Sequence, residues 1–151
     1  MEDVFQKLIL MIRAYYPVLY LHSYEYYRTK QKIKGIVELL RREGKKVNYY
    51  QWDCVYGLVQ ILPDKTEKRI ERMQNPLEVL AYILNSKKSG EKNIFVLDDI
   101  NNHIDRDEVK LMFRKIAEAT NNNTHAIILS SIYRLPAELE KYITVLQIPL
   151  P

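Results

Sequence analysis

Glycine is scarce in this sequence: four among 151 residues, at positions 35, 44, 57 and 90. None falls in Ser23-Tyr24-Glu25-Tyr26-Tyr27-Arg28-Thr29-Lys30, which follows the first apolar strand-like run. That excludes there a glycine-rich turn whose amides could approach a phosphate closely. The single cysteine, Cys54, excludes an internal disulfide. With His22, His103 and His125 scattered along the chain it shows no metal-ligand spacing, so Cys54 reads as a buried, inert thiol. No apolar run approaches the ~20 residues needed to span a bilayer. The opening Met1-Glu2-Asp3 lacks the basic start of a secretion signal, and cytoplasmic residence is expected. Neither sign of charge dominates. Lys and Arg total 23 against 19 Asp and Glu, and the net +4 permits an acidic partner without demanding nucleic acid.

What is present suits one globular domain over residues 1–151. The composition is 47% hydrophobic and 28% charged, with no repeat or linker to divide the chain. Val4, Phe5, Leu8, Ile9, Met11 and Ile12 fall at helical spacing, and Tyr15-Tyr16-Pro17 stops that helix. Val18 to His22 suits a buried strand. Ile33, Ile36, Val37, Leu39 and Leu40 predict a second helix from about residue 25 to 43, ended by Gly44. Val47 to Trp52 is β-branched and aromatic and reads as a strand, with Trp52 a packing anchor and Asp53 a turn residue. Tyr56 to Ile61 could add a strand, and the polar stretch from Pro63 to Gln74 reads as loop. Asn75-Pro76 starts a helix running through Leu84 and ending at Lys87-Lys88-Ser89-Gly90. Ile94 to Leu97 is a buried strand ending on Asp98-Asp99. Asp105 and Glu108 are spaced as a capping box ahead of the helical stripe Val109, Met112, Phe113, Ile116, Ala117. A turn at Asn121-Asn122-Asn123 leads to a strand over 126–131. A short helix over 137–142 and a strand over 144–148 follow. Strands that alternate with helices and are apolar throughout predict an α/β fold, a mostly parallel sheet covered on both faces.

In such sheets ligands sit at the carboxyl ends of the strands. The residues there are His22 to Glu25 after the first strand, Asp98 and Asp99 after the third, and Ser130 and Ser131 after the fourth. Four apolar residues followed by two acids have the shape of a Walker B element, in which one carboxylate holds Mg²⁺ and the other polarises a water. An apolar strand ending in aspartate is also common for structural reasons. The missing partner decides between them. Bulky tyrosines stand where a phosphate loop must come close, and Glu25 would repel a polyphosphate, so phosphoryl transfer is disfavoured. Tyr16, Tyr20, Tyr24 and Tyr27 could form an aromatic surface beside Arg28, Lys30, Lys32, Lys34, Arg41, Arg42, Lys45 and Lys46. Basic residues among aromatics can bind single-stranded nucleic acid. The alternative is a solvated helix face over a tyrosine-containing core, and the spread of charge around the helix favours it.

Ile94 to Asp99, Ser130-Ser131 and the closing segment Leu135 to Pro151 together resemble the latter half of an AAA+ ATPase core. There Walker B is followed by a sensor-1 strand, a short proline–acidic–leucine helix and a strand ending in Pro-Leu-Pro. More narrowly, several segments resemble the N-terminal, degenerate ATPase-like domain of the AAA+ ATPases of cyanobacteria, plastids and other bacteria. They are Arg13 to Tyr20, Tyr50-Gln51-Trp52-Asp53, Asn75-Pro76-Leu77 and Leu135 to Pro151. The resemblance covers essentially the whole chain. It implies a three-layer α/β/α, P-loop NTPase-like fold without a Walker A loop, its five-stranded sheet in the order 5-1-4-3-2. It places Asp98 and Asp99 at vestigial Walker B positions and Ser130 or Ser131 near sensor 1. Asp99 stands where active members usually carry glutamate. The expectation is a non-catalytic docking, assembly or regulatory module holding no cofactor or metal itself. None of the helical lid that closes an AAA+ site precedes Pro151, so the chain is expected to be either an excised N-terminal domain, with a catalytic AAA+ module binding ATP and Mg²⁺ downstream, or a naturally minimal protein, and the first reading is favoured. Expected partners are that module, further copies in a homo-oligomer, or another protein; a membrane is not expected. Two alternatives stay open: a hydrolase gripping phosphate through Lys30 or Lys32, and a nucleic-acid binder using the second helix.

Overall fold

The computed structural model describes residues 2–86, 91–119 and 123–150. The chain opens with α1 (Glu2–Arg13), β1 (Val18–His22), α2 (Tyr26–Arg42) and β2 (Val47–Asp53). A hairpin of β3 (Gly57–Ile61) and β4 (Glu67–Glu71) precedes α3 (Pro76–Ser86) and β5 (Lys92–Asp98). A 3-10 turn at Ile100–His103 leads into α4 (Asp107–Glu118), then β6 (Thr124–Ser130), a 3-10 turn at Ala137–Leu139 and β7 (Thr144–Gln147). The expected breaks at Lys87-Lys88-Ser89-Gly90 and Asn121-Asn122 lie outside the described residues.

One sheet of seven strands runs in the order β4-β3-β2-β5-β6-β1-β7. The five strands β7, β1, β6, β5 and β2 are mutually parallel, whereas β3 and β4 are added antiparallel beyond β2. The sheet is therefore mixed and larger than the five strands expected. β3 is the extra strand foreseen near Tyr56 to Ile61. β4 lies in the stretch read as loop, because Glu67-Lys68-Arg69-Ile70-Glu71 has no apolar alternation to betray it. It is an exposed edge held by its ladder to β3, and its charges discourage further pairing. Gly57, at the start of β3, lets the chain leaving β4 pass close to it: its φ is +79°, and a Cβ there would stand 3.0 Å from the Met73 amide nitrogen.

Alternation along the parallel strands divides the core in two. Leu19, Leu21, Ile94, Val96, Ile127 and Leu129 pack with Leu8 and Ile12 of α1 and Ile33, Val37 and Leu40 of α2. Tyr20, Phe95, Leu97, Ala126 and Ile128 pack with Val79, Leu80 and Ile83 of α3 and Val109, Phe113 and Ile116 of α4. Helices thus cover both faces, which is why the central strands are apolar throughout.

Helix ends follow local chemistry unevenly. Asn75 Oδ1 accepts the Leu77 amide at 2.9 Å and caps α3 as expected. After α2, Gly44 (φ +88°) donates to Arg41 O at 3.0 Å, and Lys45 donates to Leu40 O at 3.1 Å, closing the helix with the left-handed residue that glycine favours. The capping box does not form. α4 starts at Asp107 after Arg106, which makes no side-chain cap, because the preceding 3-10 turn already sets the chain's entry. The closing helix expected over 137–142 shrinks to the single turn at Ala137–Leu139. Cys54 is exposed rather than buried. It sits in the turn after β2, where Asp53 Oδ1 accepts the Val55 and Tyr56 amides at 2.8 and 2.7 Å. Trp52 is the anchor expected, buried with its indole N–H on Met73 O.

A buried polar cluster ties α1 to the amino ends of β5 and β6. Lys92 Nζ donates to Ile12 O at 3.0 Å and lies 3.0 Å from His125 Nε2, while His125 Nδ1 donates to Tyr16 O at 2.6 Å. Burial, with Lys45 adding to it, pushes the Lys92 ammonium down to about 8.

Candidate functional site

The carboxyl ends of β1, β5 and β6 converge where the chain passes directly from strand into α2. Only Ser23, Tyr24 and Glu25 separate His22 from Tyr26. This short connector folds on its own polar groups: Ser23 Oγ lies 2.9 Å from Thr29 Oγ1 and accepts the Glu25 amide at 3.1 Å. Ser23 N also donates to Ser130 O at 2.9 Å, extending the ladder past the strand end.

The first turns of α2 place Tyr26 and Lys30 four residues apart, on one face of the helix. Lys30 forms an ion pair with Asp98. Tyr26 donates its hydroxyl proton to Asp99 Oδ1 at 2.5 Å, and its hydroxyl oxygen accepts the Ser131 amide at 2.9 Å. Asp99 itself is left-handed (φ +57°) and leads into the 3-10 turn, its amide bonded to Leu129 O at 2.9 Å. Burial holds the Asp98 carboxyl above the usual carboxylate range, against the pull of Lys30 and with help from Asp99 and Asp53. Asp98 Oδ1 is buried without a hydrogen-bond partner among the described residues. Beside it a cleft of about 380 Å³ opens between Lys30, Asp53, Tyr56, Glu67 and Arg69.

Ser130 and Ser131 diverge. Ser130 is fully buried and its Oγ accepts the Ile132 amide at 3.1 Å. Ser131 acts through its backbone, its carbonyl accepting the His22 Nε2 proton at 3.0 Å. The loop beyond is held by Tyr20, whose hydroxyl donates to Ile132 O at 2.6 Å and accepts from Arg134 N at 3.0 Å and Asn101 Nδ2 at 2.9 Å. Among the described residues, no cluster of His, Cys, Asp and Glu gathers as a metal-ligand set.

The four tyrosines considered as one aromatic surface are not brought together. Tyr20 is wholly buried. Tyr16 precedes β1, whereas Tyr24 and Tyr27 follow it, a separation of about 17 Å along a five-residue strand. Lys45 and Lys46 stand beyond the far end of α2, about 25 Å from its start. The sequence reading missed Tyr26 and the Tyr20 hydroxyl as organisers of the site. The i, i+4 spacing of Tyr26 and Lys30 was the one signal that could have paired them with adjacent carboxylates.

A family model described as "SpoVK-like AAA ATPase, N-terminal domain" matches residues 4–148. The chain belongs to this family. It is 28% identical over 144 residues to an uncharacterized AAA domain-containing protein ycf46 of Guillardia theta, covering 94% of this chain and 26% of that protein. Proteins of the same description from Pyropia yezoensis and Trieres chinensis are 26% and 27% identical. They are matched over 97% and 96% of this chain, but each over 28% of its own length. The family member described here thus spans little more than a quarter of these relatives. Among the described residues, no helix is long and apolar enough to cross a membrane.

Proposed function

We propose that this domain is a non-catalytic docking and regulatory module of an AAA ATPase, built on a P-loop-like sheet whose nucleotide site has been closed from within. The strand order β7-β1-β6-β5-β2 supports the P-loop-like reading, since it corresponds to 5-1-4-3-2 once the hairpin strands are set aside. The observation that carries the functional reading is the occupation of both acids by α2. Lys30 takes Asp98, where a divalent ion would otherwise be drawn, and Tyr26 takes Asp99, where a water would be polarised. The connector Ser23-Tyr24-Glu25 is too short and too bulky to wrap a triphosphate in backbone amides. ATP and Mg²⁺ therefore do not fit this site, and no hydrolytic step is assigned to it. The hydrolase alternative loses its lysines: Lys30 is paired with Asp98, and Lys32 lies 6.0 Å from the centre of the Phe5 ring.

Differential docking against an attached ATPase in its nucleotide states would make the module regulatory, by as much as its affinity differs between those states. Titration calorimetry with Mg²⁺-ATP tests the core of this reading. The expected result is no heat of binding at micromolar nucleotide. Micromolar affinity that disappears in Asp98→Asn would overturn it.

A further inference from the structure

We propose that the exposed patch formed by His22, Tyr24, Ile132 and Tyr133 is the face on which the AAA module of the same polypeptide docks. This deepens the docking reading above and rests on it. Tyr24, Ile132 and Tyr133 are 62%, 51% and 48% exposed, although each is a large apolar side chain. The two tyrosine rings flank His22, whose ring centroid lies 5.4 Å from that of Tyr24 and 6.1 Å from that of Tyr133. Exposed apolar side chains on a slack loop would be ordinary surface; Ile132 and Tyr133 stand on a braced one, and Tyr24 on the short connector that Ser23 pins. Tyr26 and His22 hold Ser131 by its amide and carbonyl, and Tyr20 holds the backbone of Ile132 and Arg134. The Tyr20 and Tyr26 hydroxyls and the His22 imidazole thus fix a loop that carries exposed Ile132 and Tyr133, which is the preorganisation that makes aromatic anchors effective in binding.

Two observations name the occupant. The chain leaves β7 against this same patch: Ile148 N donates to His22 O at 2.9 Å, and Gln147 Oε1 lies 2.8 Å from His22 Nδ1. The family is defined as the N-terminal domain of an AAA ATPase, and some three quarters of each relative lies outside the matched region. The chain thus leaves β7 beside His22, and a module tethered beyond that strand would meet the patch at high effective concentration.

Hydroxyl-radical footprinting of the intact polypeptide, AAA module included, tests the assignment. Tyr15, also 48% exposed but placed before β1 at the opposite end of the sheet, serves as the internal reference. Tyr24 and Tyr133 are expected to oxidise several-fold more slowly than Tyr15. The double variant Tyr24→Ser, Tyr133→Ser is expected to expand the polypeptide in small-angle scattering while leaving its circular dichroism unchanged. A compact polypeptide in which all three tyrosines oxidise alike overturns this face and leaves docking elsewhere standing. An extended polypeptide with a freely moving domain overturns the docking reading itself. Protection that vanishes on dilution assigns the patch to a second copy and also overturns the proposal.

Discussion

Lys92 and Tyr26 show how single polar side chains secure this fold. Lys92 is almost fully buried, and its ammonium titrates near 8 rather than at the unfolded lysine value of about 10.4. Between those two pH values the unfolded chain binds more protons than the native one, so stability rises with pH across that window. Below pH 8 both states are protonated and the burial cost is constant. Comparing urea unfolding of the native chain and Lys92→Met between pH 7 and 10 isolates this contribution. The native chain is expected to gain up to about 3 kcal/mol relative to the variant. Tyr26→Phe leaves the Ser131 amide and the Asp99 carboxylate without their shared partner. A loss of about 1–2 kcal/mol is expected in the same assay. The short phrase Tyr26-Tyr27-Arg28-Thr29-Lys30 held the helical spacing that joins Tyr26 to Lys30, but not the carboxylates they would meet. Those lie 73 and 68 residues away and are brought near only when β1 and β5 assemble on either side of β6.

At the level of elements, termini with a local cause behave as their residues dictate. Asn75→Ala removes the acceptor for the Leu77 amide and is expected to cost about 1 kcal/mol in thermal or urea unfolding. Gly44→Ala forces a Cβ into a left-handed residue and should cost a similar ~1 kcal/mol, although open space surrounds the position. Elements held by partners behave otherwise. β4 is exposed along almost its whole length and, among the described residues, paired with β3 alone, so its amides should exchange fastest among the strands. β5 and β6, flanked by strands on both sides and buried under helices, should exchange only on global unfolding. Hydrogen exchange followed by mass spectrometry reads both. The same contrast explains why β5 and β6 stood out as apolar runs while β4 did not. Burial writes a pattern into a strand; edge pairing uses only the backbone, which every sequence shares.

For the whole molecule, the two core layers and the pairing of Asp98 and Asp99 with α2 support the proposed reading of a docking platform. The alternative of a nucleic-acid binder predicts affinity that falls steeply with salt. With Tyr20 buried and the remaining tyrosines at opposite ends of β1, gel-shift assays at low salt are expected to show no binding by the basic second helix. Cys54 illustrates the limit of composition at this scale. A lone thiol reads as core, yet its place in the turn after β2 is set by Asp53 and the hairpin, and it emerges in solvent.

The order of helices and parallel strands, the helix ends at Asn75 and Gly44, and the lack of a glycine cradle after β1 are properties of the sequence alone. Each depends on residues within a turn or two of one another. The hairpin strand β4, the exposure of Cys54 and the pairing of Lys30 and Tyr26 with Asp98 and Asp99 were decided by tertiary structure. The bracing of residues 131–134 from β1 and α2 belongs with them. In each case the partners are distant in the chain, and their energies exist only once the sheet has assembled.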